Sequence, residues 1–66
     1  MRVFVNGAAR ELDEGTTGGQ LLASLQLNAA TLVVELNGQV VKTTEFLERT
    51  LVEGDNVELV TVVGGG

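Results

Sequence analysis

The chain contains no cysteine, histidine, tyrosine or tryptophan, and these absences exclude whole classes of chemistry. Without Cys there is no thiolate nucleophile and no disulfide framework; without His there is no imidazole base; without either, a zinc site of the usual kind cannot be built. Carboxylates are the remaining candidates for side-chain catalysis. Asp13 with Glu14, Glu45 with Glu48, and Glu53 with Asp55 all stand in polar, turn-like surroundings, with no evident apolar pocket to raise a carboxyl pKa, so they read as solvated surface. The expectation is a protein without side-chain catalysis that binds no metal and no cofactor of its own.

Long apolar runs are missing as well. No segment approaches the roughly 18 consecutive apolar residues of a membrane span, and Met1-Arg2-Val3 opens a strand pattern rather than a signal peptide. A soluble, cytoplasmic protein is expected. Basic residues are scarce: four against nine acidic, for a net charge of −5. That balance opposes binding to nucleic-acid backbones and anionic membranes, which are themselves negative, and suits a basic or amphipathic partner protein.

What is present suffices for one small domain. The 66 residues are 44% hydrophobic, mostly Val, Leu and Ala, too apolar for a disordered tail, although a chain this short buries only about 60% of its unfolded surface. Val3 and Val5 share one face of a first strand, with Arg2, Phe4 and Asn6 on the other, and Asn6-Gly7 supplies the positive φ angles of a tight hairpin turn. The return strand, residues 8–12, is weakly β-forming, with Leu12 as its core contact. Thr17-Gly18-Gly19-Gln20 has the form of a capping box, and Leu21, Leu22 and Leu25 follow at helical spacing, which predicts a helix laying a leucine stripe on the sheet. Gly18 and Gly19 each weaken its first turn by about 1 kcal/mol relative to Ala. The pair does not amount to a phosphate loop, because the GxxxxGK pattern and a nearby Lys are both missing.

Leu32 to Leu36 reads as a strand with Val34 and Leu36 inward and Val33 and Glu35 outward, turning at Asn37-Gly38 into a brief strand, Gln39 to Val41. Lys42 to Arg49 is a polar crossing with room for one helical turn around Phe46 and Leu47, and Glu53-Gly54-Asp55 is a turn. The last strand, residues 56–63, is expected to send Val57, Leu59 and Thr61 to the core and Glu58, Val60 and Val62 to the opposite face. The expected division is a domain over residues 1–63 and a flexible glycine tail over 64–66.

Strand, strand, helix, strand, strand and final strand is the order of an α+β β-grasp domain. The VNG opening, the central LVVELNGQVV and the closing EGDNVELVTVVGGG resemble, over the whole chain, the ThiS-type sulfur carriers of thiamin biosynthesis. The resemblance implies a ubiquitin-like fold with a mixed sheet of four or five strands crossed by one main helix, the first and last strands lying parallel in its centre. It also implies that the functional group is the terminal α-carboxylate of Gly66, with Gly64 and Gly65 threading the active site of a ThiF-type adenylyltransferase. That partner would use ATP to adenylate the carboxylate. Sulfur from a donor protein would then give a thiocarboxylate for thiazole synthase, the ThiG-type partner. Glycine suits such a tail because a residue without Cβ passes a slot too narrow for side chains. The chain departs from the family at Lys42-Thr43, where relatives often have Pro-Arg, and at the glycine-rich helix start. A molybdopterin-synthase-type carrier and a ubiquitin-like modifier or interaction module share the tail and stay open as alternatives.

If the first and last strands are adjacent, Phe4, Val60 and Val62 would cluster on the face away from the helix, flanked by Glu58 and Arg2. This face is the expected docking surface, on a carrier that is otherwise expected to be a monomer.

Overall fold

Period-two patterning and two Asn-Gly turns build the sheet of the computed structural model, which describes residues 1–62. β1 (Arg2–Val5) and β2 (Ala8–Glu11) form an antiparallel hairpin in which Val5 faces Ala8, leaving Asn6 and Gly7 at φ 49° and 83° as the turn. β3 (Leu32–Leu36) and β4 (Gln39–Val41) repeat the device, with Asn37 at φ 52° and Gly38 at φ 85°. β5 (Asn56–Thr61) lies between the two hairpins, parallel to β1 and antiparallel to β3, in a five-stranded sheet of order β2-β1-β5-β3-β4. This is the mixed β-grasp sheet, its first and last strands adjacent and parallel in the interior.

One face of the sheet carries Val3, Val5, Leu32, Val34, Leu36, Val57 and Leu59, all buried. Helix α1 (Gly18–Ser24) supplies Leu21 and Leu22 to the same core, with Leu25 partly buried against it. Its start is the expected capping box. Thr17 Oγ1 accepts from the Gln20 N–H at 3.2 Å, and Gln20 Oε1 accepts from the Thr17 N–H at 2.9 Å. Leu12 packs at the core margin.

The crossing after β4 is more ordered than its polar composition suggests. Thr43–Glu48 form a second helix, α2, and Phe46 is completely buried, a core residue like Leu51 further on. Here the two glycines of α1 gain a structural reason. A Cβ on Gly18 would fall 2.7 Å from the Phe46 ring and on the Phe46 carbonyl oxygen, and one on Gly19 would stand 2.9 Å from the Leu47 carbonyl oxygen. The weak first turn therefore permits a close approach of α2 to α1, and the Gly18 N–H donates to the Arg49 carbonyl at 2.9 Å.

Two readings are corrected. Asp55 is not solvated: it is 6% exposed, and its carboxylate accepts from Asn37 Nδ2 at 3.0 Å and from the Val52 N–H at 2.9 Å. A carboxylate with two such donors is compatible with burial, and it ties the turn before β5 to the β3–β4 hairpin. Thr61, expected inside, is exposed, because β1 ends beside Val57 and no described strand flanks Thr61 on that side. The remaining paired acids, Asp13, Glu14, Glu45, Glu48 and Glu53, are exposed as expected. The expected boundary after residue 63 and the tail of Gly64, Gly65 and Gly66 lie outside the described residues. Among the described residues, no helix is long and apolar enough to cross a membrane.

Candidate functional site

The helices cover one face of the sheet and leave the other open. Along β5 the open face carries Asn56, Glu58 and Val60, with Val62 just beyond, because successive side chains alternate and Val57 and Leu59 are taken by the core. β1 adds Phe4, β3 adds Val33 and Glu35, and β4 adds Val40, which follows from the pairing of Phe4 with Asn56, Val33 with Val60, and Glu35 with both Glu58 and Val40. Phe4, Val33, Val40, Val60 and Val62 are all exposed large apolar residues.

Register then decides which of these are neighbours. Val60 sits directly opposite Val33, with Val62 one pleat further along, so the apolar group at the end of β5 is Val33, Val60 and Val62. Phe4 is not part of it. It lies beside Asn56, four residues back along β5, or about 13 Å at a strand rise of roughly 3.3 Å per residue. Arg2 is removed further still. It is engaged with Glu11, Nε to Oε1 at 2.8 Å, and that hydrogen bond, with the Glu11 charge, raises the Arg2 pKa above its already high ordinary value.

Alternation alone sends Val33 and Glu35 outward, and the register decides which residues they face. Glu58 and Glu35 stand directly opposite each other between Phe4 and the valines. Two like charges in a cross-strand pair repel, and a cation brought by a partner relieves the repulsion. Along β5 the open face therefore carries two apolar spots, Phe4 and the Val33–Val60–Val62 group, separated by a pair of carboxylates, with Val40 beside Glu35 on β4.

The same strand leads to the last described residue. β5 is central in the sheet and its last described residue beyond the strand, Val62, donates its N–H to the Thr31 carbonyl at 2.7 Å. The end of β5 is thereby held by the short 3-10 turn of Ala29–Thr31, itself capped by Asn28, whose Oδ1 accepts from the Ala30 N–H at 3.0 Å. The last described residue, Val62, is thereby held beside Val60 and Val33.

The ThiS family profile matches residues 3–66, from the second residue of β1 through the last glycine. The chain belongs to the ThiS family, the sulfur carriers of thiamin biosynthesis. It is 36% identical to the thiamine biosynthesis protein ThiS of Geobacter metallireducens, whose crystal structure superposes with a TM-score of 0.81 and covers both chains completely. A solution NMR structure of a thiamine biosynthesis protein from the same organism gives 36% identity and a TM-score of 0.75 over all of this chain and 88% of that one. A curated relative, the thiazole synthase of Paramagnetospirillum magneticum, is 29% identical over 66 residues, all of this chain but 20% of that protein, so the chain spans about a fifth of this relative's length. In that protein a segment like this chain is part of a thiazole synthase.

Proposed function

We propose that this ThiS-family chain carries sulfur as a thiocarboxylate on Gly66. A carboxylate is ionised far above its ordinary pKa of about 3.5 and resists nucleophilic attack, so the α-carboxylate must first be activated. An adenylyltransferase of the ThiF type joins it to AMP from ATP, releasing pyrophosphate. Sulfur delivered by a donor protein then displaces AMP, and the thiocarboxylate passes its sulfur to thiazole synthase. The chain returns as a plain carboxylate, a cosubstrate rather than a catalyst. The observation that carries this reading is the family match running through Gly66. The relative in which a segment like this chain belongs to a thiazole synthase supports that enzyme as the acceptor.

The test is direct. Incubated with its adenylyltransferase, ATP and a sulfur donor, the protein is expected to gain the mass difference between sulfur and oxygen, and fragmentation is expected to localise the gain to Gly66. A gain elsewhere, or none, defeats the reading.

The open face is the proposed docking surface, and its geometry grades the expected effects. Val60→Asp puts a third carboxylate next to Glu58 and Glu35 and removes the centre of the apolar group. It is expected to raise the carrier concentration needed for half-maximal charging by about tenfold or more. Phe4→Ser, distant from the end of β5, is expected to have the smaller effect. Both side chains are exposed, so the amide spectra of the variants are expected to remain those of a folded protein. Unchanged concentration dependence in both variants would place recognition on another surface.

A further inference from the structure

The two edges of β5 are covered unequally. Even-numbered residues of β5 point their backbone groups toward β3, as the bonds from the Asn37 N–H to the Asn56 carbonyl and from the Val62 N–H to the Thr31 carbonyl show. Odd-numbered residues point toward β1: the Asp55 carbonyl accepts from Phe4 and the Val57 carbonyl from Asn6. The β3 side is therefore covered as far as Val62. On the other side, β1 stops at Val5 because Asn6 and Gly7, at positive φ, turn the chain away.

A side chain extends the coverage by one step. Asn6 Oδ1 accepts from the Leu59 N–H at 2.8 Å, and Asn6 Nδ2 donates to the Leu59 carbonyl at 3.3 Å. The amide thus occupies the place of a strand backbone and then ends. The next odd-numbered residue, Thr61, directs its N–H and carbonyl to the same side, where no described residue pairs with them. An unpaired strand edge is a template for another chain. This one is held straight by β3 and flanked by exposed Val60 and Val62.

We propose that an extended segment of the adenylyltransferase adds to this edge at Thr61, in the line that β1 vacates, and so aligns the end of the chain for activation. The proposal rests on the carrier reading, since an enzyme acting at Gly66 must enclose the residues that follow Thr61. It differs from docking on the open face in using backbone groups rather than side chains. A second copy of the chain is the poorer occupant. Its own edge is likewise bare only from Thr61, because the same hairpin turn and Asn6 side chain close it up to Leu59.

Thr61→Pro tests this, because it removes the outward N–H while the β3 ladder, which uses Val60 and Val62, keeps its donors. Thr61→Val changes the side chain and keeps the N–H. In the charging reaction, Thr61→Pro is expected to raise the half-saturating carrier concentration about tenfold, with the maximal rate retained, while Thr61→Val stays within about twofold of the parent. A second measurement needs no variant: hydrogen exchange of the Thr61 amide in the parent is expected to slow when adenylyltransferase is added without ATP. A folded Thr61→Pro protein charged with the parent's concentration dependence, or exchange at Thr61 that is unchanged in the complex, overturns the strand addition. Either result, alongside a parent that still gains sulfur, leaves the carrier reading standing.

Discussion

The Phe46→Ala protein is expected to show no cooperative unfolding transition near room temperature, or one displaced almost to zero denaturant. Phe46 is wholly buried, against Gly18 on one side and among the leucines of the core. Truncating a buried Phe costs about 3 to 5 kcal/mol through lost transfer free energy and a residual cavity. A domain of 66 residues has only about 3 to 10 kcal/mol of net stability to lose, at roughly 0.05 to 0.15 kcal/mol per residue. The cavity would not close easily, because Phe46 is the contact on which α2 meets the first turn of α1. Collapse of one helix onto the other would require moving backbone that is pinned by the Gly18 to Arg49 hydrogen bond and the Leu51 to Thr16 bond beyond it. Urea titration followed by circular dichroism measures the effect. A transition within about 1 kcal/mol of the parent would show that α2 is dispensable to the core.

The second large effect is chemical. A protein ending at Gly64, or one extended past Gly66, is expected to gain no sulfur mass under conditions that charge the parent completely. The shortened chain lacks two residues of reach, at most about 7 Å at the extended spacing of roughly 3.3 to 3.6 Å per residue, which on the proposed mechanism keeps its carboxylate from the α-phosphate of ATP. In the extended chain the carboxyl carbon of Gly66 is an amide, which has no carboxylate oxygen to attack ATP. Neither change alters a residue of the described strands, so both proteins are expected to unfold at the parent's denaturant midpoint. Intact-mass measurement after incubation decides the matter: equal charging of either variant would mean that the terminal carboxylate of Gly66 is not the sulfur-bearing group.

Much of the molecule was legible in its residue pattern, because local rules dominate where they are unopposed. The two Asn-Gly pairs specify hairpins through positive φ, the Thr17–Gln20 capping box starts α1, and period-two alternation in β1, β3 and β5 separates Val3, Val34 and Val57 from Phe4, Val33 and Glu58. The absence of Cys and His, visible in the residue list alone, excludes thiolate and imidazole chemistry.

Other features depended on the partners that the tertiary structure supplies. Lys42 to Arg49 has only two adjacent apolar residues, so nothing local shows that Phe46 is the most buried aromatic of the fold or that Gly18 and Gly19 exist to let it approach. Asp55 is indistinguishable in sequence from its solvated neighbour Glu53; the Asn37 side chain and the Val52 N–H, brought to it by folding, make the difference. Alternation placed Phe4 and Val60 on one face but contained no information about the stagger between β1 and β5, which puts Phe4 beside Asn56 and Val33 opposite Val60. The period of a strand is a property of one chain segment, fixed by backbone geometry, and so can be read from the segment alone. Register is a property of two, decided by where each hairpin turns and by how far β1 runs alongside β5 before Asn6 takes it away.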